Sequence, residues 1–128
     1  MLNHLTIMGR LCADPELRYT QNGIAVCNAR LAVERNYAAP SGEHETDFFD
    51  VIAWRGTAKF LSDYFSKGRK LVLDGRLQSR NWTDREGNKR VSIEIVAESA
   101  YFADSKPVES TFEYSSEEAG PVDGNMAA

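Results

Sequence analysis

The sequence predicts an all-β domain with one short helix, a five-stranded, partly open Greek-key barrel over residues 1–104, followed by a disordered acidic tail over 105–128. Three observations carry that expectation. From Leu5 to Tyr101 apolar and polar residues alternate in runs broken by short Gly, Asp and Asn clusters, as in an antiparallel sheet. One stretch near the middle switches to helical spacing. After Asp104 periodicity fails, and Ser, Glu, Gly and Pro dominate a segment with few large apolar groups.

The first run, Leu5 to Leu11, leads into Asp14-Pro15, a turn opener, and then Glu16 to Thr20. Gln21-Asn22-Gly23 reads as a hairpin turn, since Asn-Gly accepts positive φ at little cost. The next strand sets Ala25, Cys27, Ala29, Leu31 and Val33 on one face and Asn28, Arg30 and Glu34 on the other; past Val33 the apolar side turns to Arg35 and Tyr37. Small, polar and turn-forming residues from Ala38 to His44 predict a mobile loop able to fold over a ligand, before extended structure resumes from Glu45 to Arg55. Gly56-Thr57 opens the helix, with Phe60, Leu61, Tyr64 and Phe65 at helical spacing and Lys67-Gly68 as a cationic last turn and glycine stop. Strands from Arg69 to Trp82 and from Arg90 to Phe102, joined by a turn at Asp84 to Asn88, complete the domain. In the last strand Val91, Ile93, Ile95 and Ala97 face one way, and Ser92, Glu94 and Glu98 the other. About five strands with a helix between the third and fourth is the element order of an OB-fold.

Composition excludes several classes. A chain of 128 residues that is 42% hydrophobic and 10% aromatic can pack one core, which leaves no room for a two-domain enzyme. No stretch approaches the roughly 18 apolar residues of a membrane span, and Met1-Leu2-Asn3-His4 does not open a signal sequence, so the expected setting is cytoplasmic with no membrane partner. Cys12 and Cys27 are too few and too far apart for a disulfide framework or a metal knuckle, and are expected as buried reduced thiols. The net charge of −4 argues at first against a polyanionic partner. Residues 1–104 nevertheless balance 14 basic against 14 acidic side chains, and the deficit lies in the tail, where Lys106 meets Glu109, Glu113, Glu117, Glu118 and Asp123.

The chemistry concentrates on two strands. From Lys70 to Trp82, Leu71, Leu73, Gly75 and Leu77 form a core face, while Lys70, Val72, Asp74, Arg76, Gln78, Arg80 and Trp82 form a polar, cationic row ending in an exposed aromatic. Between Glu45 and Arg55, Phe49, Val51 and Ala53 share one parity and Phe48, Asp50, Ile52 and Trp54 the other. One set can fill the barrel while Phe48 and Trp54 stand outside, with Arg55 beside them and Tyr37 across the preceding loop. Cations interleaved with aromatics suit a single nucleic-acid strand, whose unpaired bases offer π faces and whose backbone offers spaced phosphates. Arg10, Arg18, Arg35, Arg55, Arg76 and Arg80 are the candidate phosphate contacts. Each stacked base is worth roughly 1–3 kcal/mol, so four aromatics can sustain binding without a strongly basic surface.

Two other readings stay open at this point. An OB-fold that prefers RNA would use the same side chains. A metal-dependent nuclease has one foothold, His44-Glu45-Thr46-Asp47-Phe48-Phe49-Asp50, but its acids alternate out of phase and no second carboxylate cluster converges on them. The chain has no phosphate-cradling glycine loop, nucleophile elbow or zinc-ligand pairing, so neither catalysis nor a cofactor is expected.

Gly9-Arg10-Leu11, Asp14-Pro15-Glu16-Leu17-Arg18-Tyr19-Thr20 with Asn22-Gly23, and Asp74-Gly75-Arg76-Leu77-Gln78-Ser79-Arg80-Asn81-Trp82-Thr83-Asp84 closely resemble motifs of the bacterial single-stranded DNA-binding proteins, from chromosome, plasmid or phage. The resemblance runs from about Met1 to Phe102. It implies an OB-fold, a homotetramer, and sequence-tolerant wrapping of single-stranded DNA without catalysis, during replication, recombination and repair at the nucleoid. Tyr37, Phe48, Trp54 and Trp82 occupy places where that family uses aromatics; Arg18, Arg55 and Arg80 fall in matching basic motifs, with Arg35 and Lys70 as weaker transfers. The chain departs from the family at Gly56, often a second basic residue, and at Tyr37, often Trp. Its end, Gly124 to Ala128, lacks the acidic Pro-Phe tip with which relatives dock replication and repair proteins, so either a truncated sequence or different partner recruitment is expected.

Overall fold

The alternating runs fold as strands and the one helical run as a helix, and the register between strands assigns each side chain to the barrel interior or to its outside. A computed structural model describes residues 1–104; the acidic tail expected over 105–128 lies outside the described residues. Its elements are β1 (Leu5–Leu11), β2 (Glu16–Tyr19), β3 (Ala25–Ala38), β4 (His44–Trp54), α1 (Arg55–Tyr64), β5 (Lys70–Thr83) and β6 (Lys89–Phe102). The sheet order is β1-β5-β6-β4-β3-β2, and β1 also pairs with β3, so β1, β5, β6, β4 and β3 close into a five-stranded barrel while β2 lies along β3. Closure is brief, with Arg10 opposite Ala32 and Leu11 opposite Leu31. Of the strand pairs only β4 with β6 is parallel. This is the predicted OB-fold, with its helix between the third and fourth barrel strands.

One parity fills the interior. Leu31, Leu71, Leu73 and Ile95 are fully buried there, and α1 adds Ala58 and Leu61 to the same core. Burial of each such Leu or Ile contributes roughly 1.5–3 kcal/mol. Just past the helix, Phe65 stacks on Phe102 with ring centroids 4.8 Å apart. The helix starts at Arg55, ahead of the expected Gly56, and ends at Tyr64, so Lys67 and Gly68 lie beyond it and no cation occupies its last turn. The physical reason is Phe65, which turns to an extended φ of −124° and enters the core while its amide still bonds Leu61 O. The loop expected from Ala38 to His44 is also shorter. Ala38 pairs with His44, and Ala39 N donates to Glu43 O at 2.7 Å to close a tight turn. Both thiols are free; Cys27 is buried, with its pKa raised by burial and then by Glu16, whereas Cys12 is only half-buried.

Leu77 departs from the core face on which its parity places it. Leu77, Val91 and Ile93 are all exposed, because the β5–β6 hairpin runs on past the barrel mouth, where the inward parity has no interior to fill. The departure begins where Asp74 pairs with Ser99 but Gly75 with Ala97, a bulge that leaves Glu98 unpaired. Gly75 permits it, since a Cβ there would run into the carbonyl of Val96. At the far end Asp84 holds the turn, its Oδ1 accepting from the amides of Glu86 (3.0 Å) and Asn88 (2.9 Å) and its Oδ2 from Arg90 Nε (2.9 Å). Those donors, the Asn88 amide first, hold its carboxyl below the usual range. Replacing Gly75 by Ala should therefore lower stability by about 1–3 kcal/mol, read as a reduced urea midpoint, because neither backbone can yield without breaking the ladder.

Candidate nucleic-acid interface

The outward parity forms a continuous face that can be traced through the register. On β2, β3 and β4, Arg18 pairs with Val26 and Val26 with Trp54. One step along, Asn28 pairs with Ile52, Ile52 with Val96, and Val96 with Arg76. The next row joins Arg30, Asp50, Glu94 and Gln78 across β3, β4, β6 and β5. Around the barrel, Lys70 pairs with Arg10, Arg10 with Ala32, and Ala32 with Phe48. Arg80 and Trp82 continue the outward parity along the hairpin, opposite Ser92 and Arg90. Phe48 is 53% exposed, Trp54 42% and Trp82 41%, so all three rings stand on this face as the parity requires.

The face is polar and partly self-paired. Trp82 Nε1 donates to Ser92 Oγ at 2.8 Å, which orients the indole on the hairpin with part of its surface open to solvent. Glu94, the one buried charged residue described, accepts from Gln78 Nε2 at 2.9 Å and lies 3.7 Å from Arg80 Nε. Arg76 stands 3.5 Å from Glu98. Arg18 Nη2 and Nε reach the Asn28 side-chain oxygen at 3.1 and 3.3 Å. Among the described residues the side chains of Arg55 and Lys70 make no ion pair. Arg55 has a φ of 57°, in the left-handed region that costs an L-residue roughly 1–2 kcal/mol, and sits at the turn from Trp54 into the helix.

Arg35 and Tyr37 lie on the other parity, beyond the barrel mouth, within the register shift between Glu34 and Ala38. There they line a groove of about 800 Å³ with Arg10, Lys70, Glu34 and Thr46. Tyr37 is 65% exposed, and its hydroxyl accepts from Arg35 Nη1 at 3.4 Å. Arg35 also grips Asp47 through two 2.9 Å bonds and Glu45 at 3.0 Å. The Arg35 guanidinium holds the Asp47 carboxyl below the usual range and is itself raised by Asp47. Beside Lys70, burial works against the Asp104 carboxylate, but the Lys70 amide and the Arg69 guanidinium outweigh it and hold its carboxyl below the usual range. The ten candidate residues thus divide. Arg18, Phe48, Trp54, Lys70, Arg76, Arg80 and Trp82 share the outward parity, Arg55 follows it, and Arg35 with Tyr37 flank the groove.

The carboxylates of the His44–Asp50 segment are engaged by arginine. Glu45 and Asp47 bind Arg35, Asp50 binds Arg30 at 2.8 Å, and His44 Nδ1 sits 2.9 Å from the Arg35 carbonyl. Among the described residues no group of three His, Cys, Asp or Glu could hold a metal ion. Sequence reasoning put Arg30 and Asp50 on the outward parity but did not see that they pair with each other there. The signal was their cross-strand register, which period-two parity within one strand does not contain.

Comparison with known proteins agrees with this geometry. Residues 2–103 match the model of the single-strand binding protein family. A Halalkalibacterium halodurans protein named single-stranded DNA-binding protein is 44% identical over 102 residues, covering 80% of this chain and 61% of that one. Single-stranded DNA-binding protein A of Bacillus subtilis is 43% identical over 106 residues, with coverages of 83% and 62%, and a Caldanaerobacter subterraneus relative is 40% identical, with coverages of 83% and 71%. The match spans about three fifths of the length of the first two relatives. The motifs, the barrel and the matched span coincide over the same residues, and the chain belongs to the single-strand binding protein family.

Proposed function

We propose that the protein binds and protects single-stranded DNA without sequence requirement during replication, recombination and repair, and that it does so without catalysis. The observation that supports this reading best is the outward parity of Phe48, Trp54 and Trp82 on a barrel whose interior is already filled. Bases stack on those rings and on Tyr37. Phosphates exchange places with the carboxylates now held by Arg35, Arg76 and Arg80, while Arg18, Arg55 and Lys70 meet them directly. A homotetramer, as the family resemblance implies, would let one strand pass over several such faces; light scattering of the full chain should then give about four times the 14.3 kDa protomer mass, and a monomer would remove the wrapping mode.

Tryptophan emission provides the direct test of stacking. Oligo-dT should quench it strongly, and Trp54→Ala with Trp82→Ala should weaken binding at least about tenfold at fixed salt. Wild-type affinity should fall with salt at a logarithmic slope near −0.7 per neutralised phosphate. Unchanged affinity in the double variant would reject the assignment, and a strong preference for oligo-U would favour RNA.

The Arg35–Asp47 pair yields a pH dependence with a definite sign. In the free protein Arg35 holds the Asp47 carboxyl down. When a phosphate takes Arg35, Asp47 loses that partner and its pKa rises toward the ordinary value of about 4. The complex then holds a proton more readily than the free protein, so affinity increases as pH falls through that range and this pair contributes no pH dependence near 7. Asp47→Asn should flatten the acid rise and tighten oligo-dT binding at neutral pH by up to about fivefold, measured by fluorescence titration at low salt.

A further inference from the structure

Arg30 lies within the outward face at a place the single-strand pattern does not explain. Its guanidinium carbon stands 5.5 Å from the centroid of the Phe48 ring, within cation–π range. Its Nη1 donates to Asp50 Oδ1 at 2.8 Å, so the carboxylate fixes the orientation of the guanidinium beside the ring. Ala32, the cross-strand partner of Phe48, is too small to compete for that space. Among the described residues Nε and Nη2 of Arg30 have no partner, and the side chain is half-exposed. A planar cation held against an aromatic platform therefore presents a free donor fork beside the position where a base would stack.

The surrounding charge decides what that fork takes. Arg30 is already neutralised by Asp50, and Asp50 pairs in register with Glu94, so two carboxylates follow Arg30 along its own cross-strand row. A phosphate brought to Arg30 would meet both. A neutral base edge would not. Guanine offers two adjacent acceptors, O6 and N7, on the Hoogsteen edge of a bicyclic ring large enough to lie over Phe48; cytosine offers such a pair, O2 and N3, only on the Watson–Crick edge of a smaller ring, and adenine and thymine offer none.

We infer that Arg30 reads guanine on single-stranded DNA layered against Phe48, with Asp50 as its positioning residue. The inference rests on the proposed single-strand function and adds a base preference to it. It is tested with the full chain and three oligonucleotides of equal length: oligo-dT, the same strand with isolated thymines replaced by guanine, and the same with 7-deazaguanine, which lacks N7. The guanine strand should bind about fivefold tighter than oligo-dT, and the 7-deaza strand should lose that advantage. Arg30→Lys, which keeps the charge but not the fork, and Arg30→Ala should both abolish the preference while leaving oligo-dT affinity and its salt slope within about twofold. Asp50→Ala should reduce the preference without weakening oligo-dT at low salt. Equal affinity of the wild type for guanine and thymine strands would overturn the inference. So would a uniform loss on all three strands with a shallower salt slope in Arg30→Ala, which would make Arg30 a phosphate contact. If the wild type binds none of the strands, the single-strand reading itself fails and the base preference falls with it.

Discussion

Two residue pairs, Arg10 with Ala32 and Leu11 with Leu31, close the sheet into a ring, and the remaining surface follows from that closure. β1 can come this close to β3 because Gly9 has no Cβ; one placed there would sit 2.5 Å from the Ala32 carbonyl oxygen. A small barrel has an interior just wide enough for alternate side chains, here mostly Leu, Val, Ile and Ala with α1 contributing Leu61. The other parity must then face outward whatever its chemistry. Phe48, Trp54 and Trp82 are outside for that reason, and their exposure is built into the register. Val26 and Val96 are buried although they lie on the outward parity and outside the main core, which makes the centre of that face a packed apolar floor.

Electrostatics on this face work against simple attraction. Arg30, Arg35, Arg76 and Arg80 each have a carboxylate within 4 Å, so half of the candidate cations are already neutralised, while among the described residues Arg10, Arg18, Arg55 and Lys70 have no ion pair. The exposed pairs at Arg35 and Arg76 hold weakly, by about 0–1 kcal/mol, and a phosphate can displace the carboxylate at small cost, while the buried Glu94 keeps Gln78 when Arg80 turns to a phosphate. On the proposed reading, stacking supplies most of the affinity. Such a balance explains why a domain with equal numbers of acidic and basic groups can belong to the single-strand binding protein family.

Much of this was legible in the chain. The strand runs, the Asp84–Asn88 turn, the helix between barrel strands and the outward parity of Phe48, Trp54, Arg76, Arg80 and Trp82 all follow from period-two patterns. What escaped the pattern depends on relations between strands or on where the barrel ends. Leu77, Val91 and Ile93 have core parity, but nothing within a strand marks the point at which the interior stops. Parity put Arg35 and Tyr37 on the apolar side, but the register shift around them, between Glu34 and Ala38, and the groove they line lie outside what one strand shows. The Arg30–Phe48 contact and the carboxylate partners of the arginines arise from register. The helix boundary at Tyr64 arises because Phe65 is pulled into the core in preference to extending the helix.

The central claim is that bases lie directly on the outward aromatics. Trp54 and Trp82 are the only tryptophans, so the indole N–H region of a nuclear magnetic resonance spectrum contains two signals, one for each. Titration with oligo-dT should shift both upfield through ring currents, whereas an abasic strand of equal charge should leave them nearly in place. Indole signals that stay fixed while oligo-dT shifts backbone amides elsewhere would contradict the account.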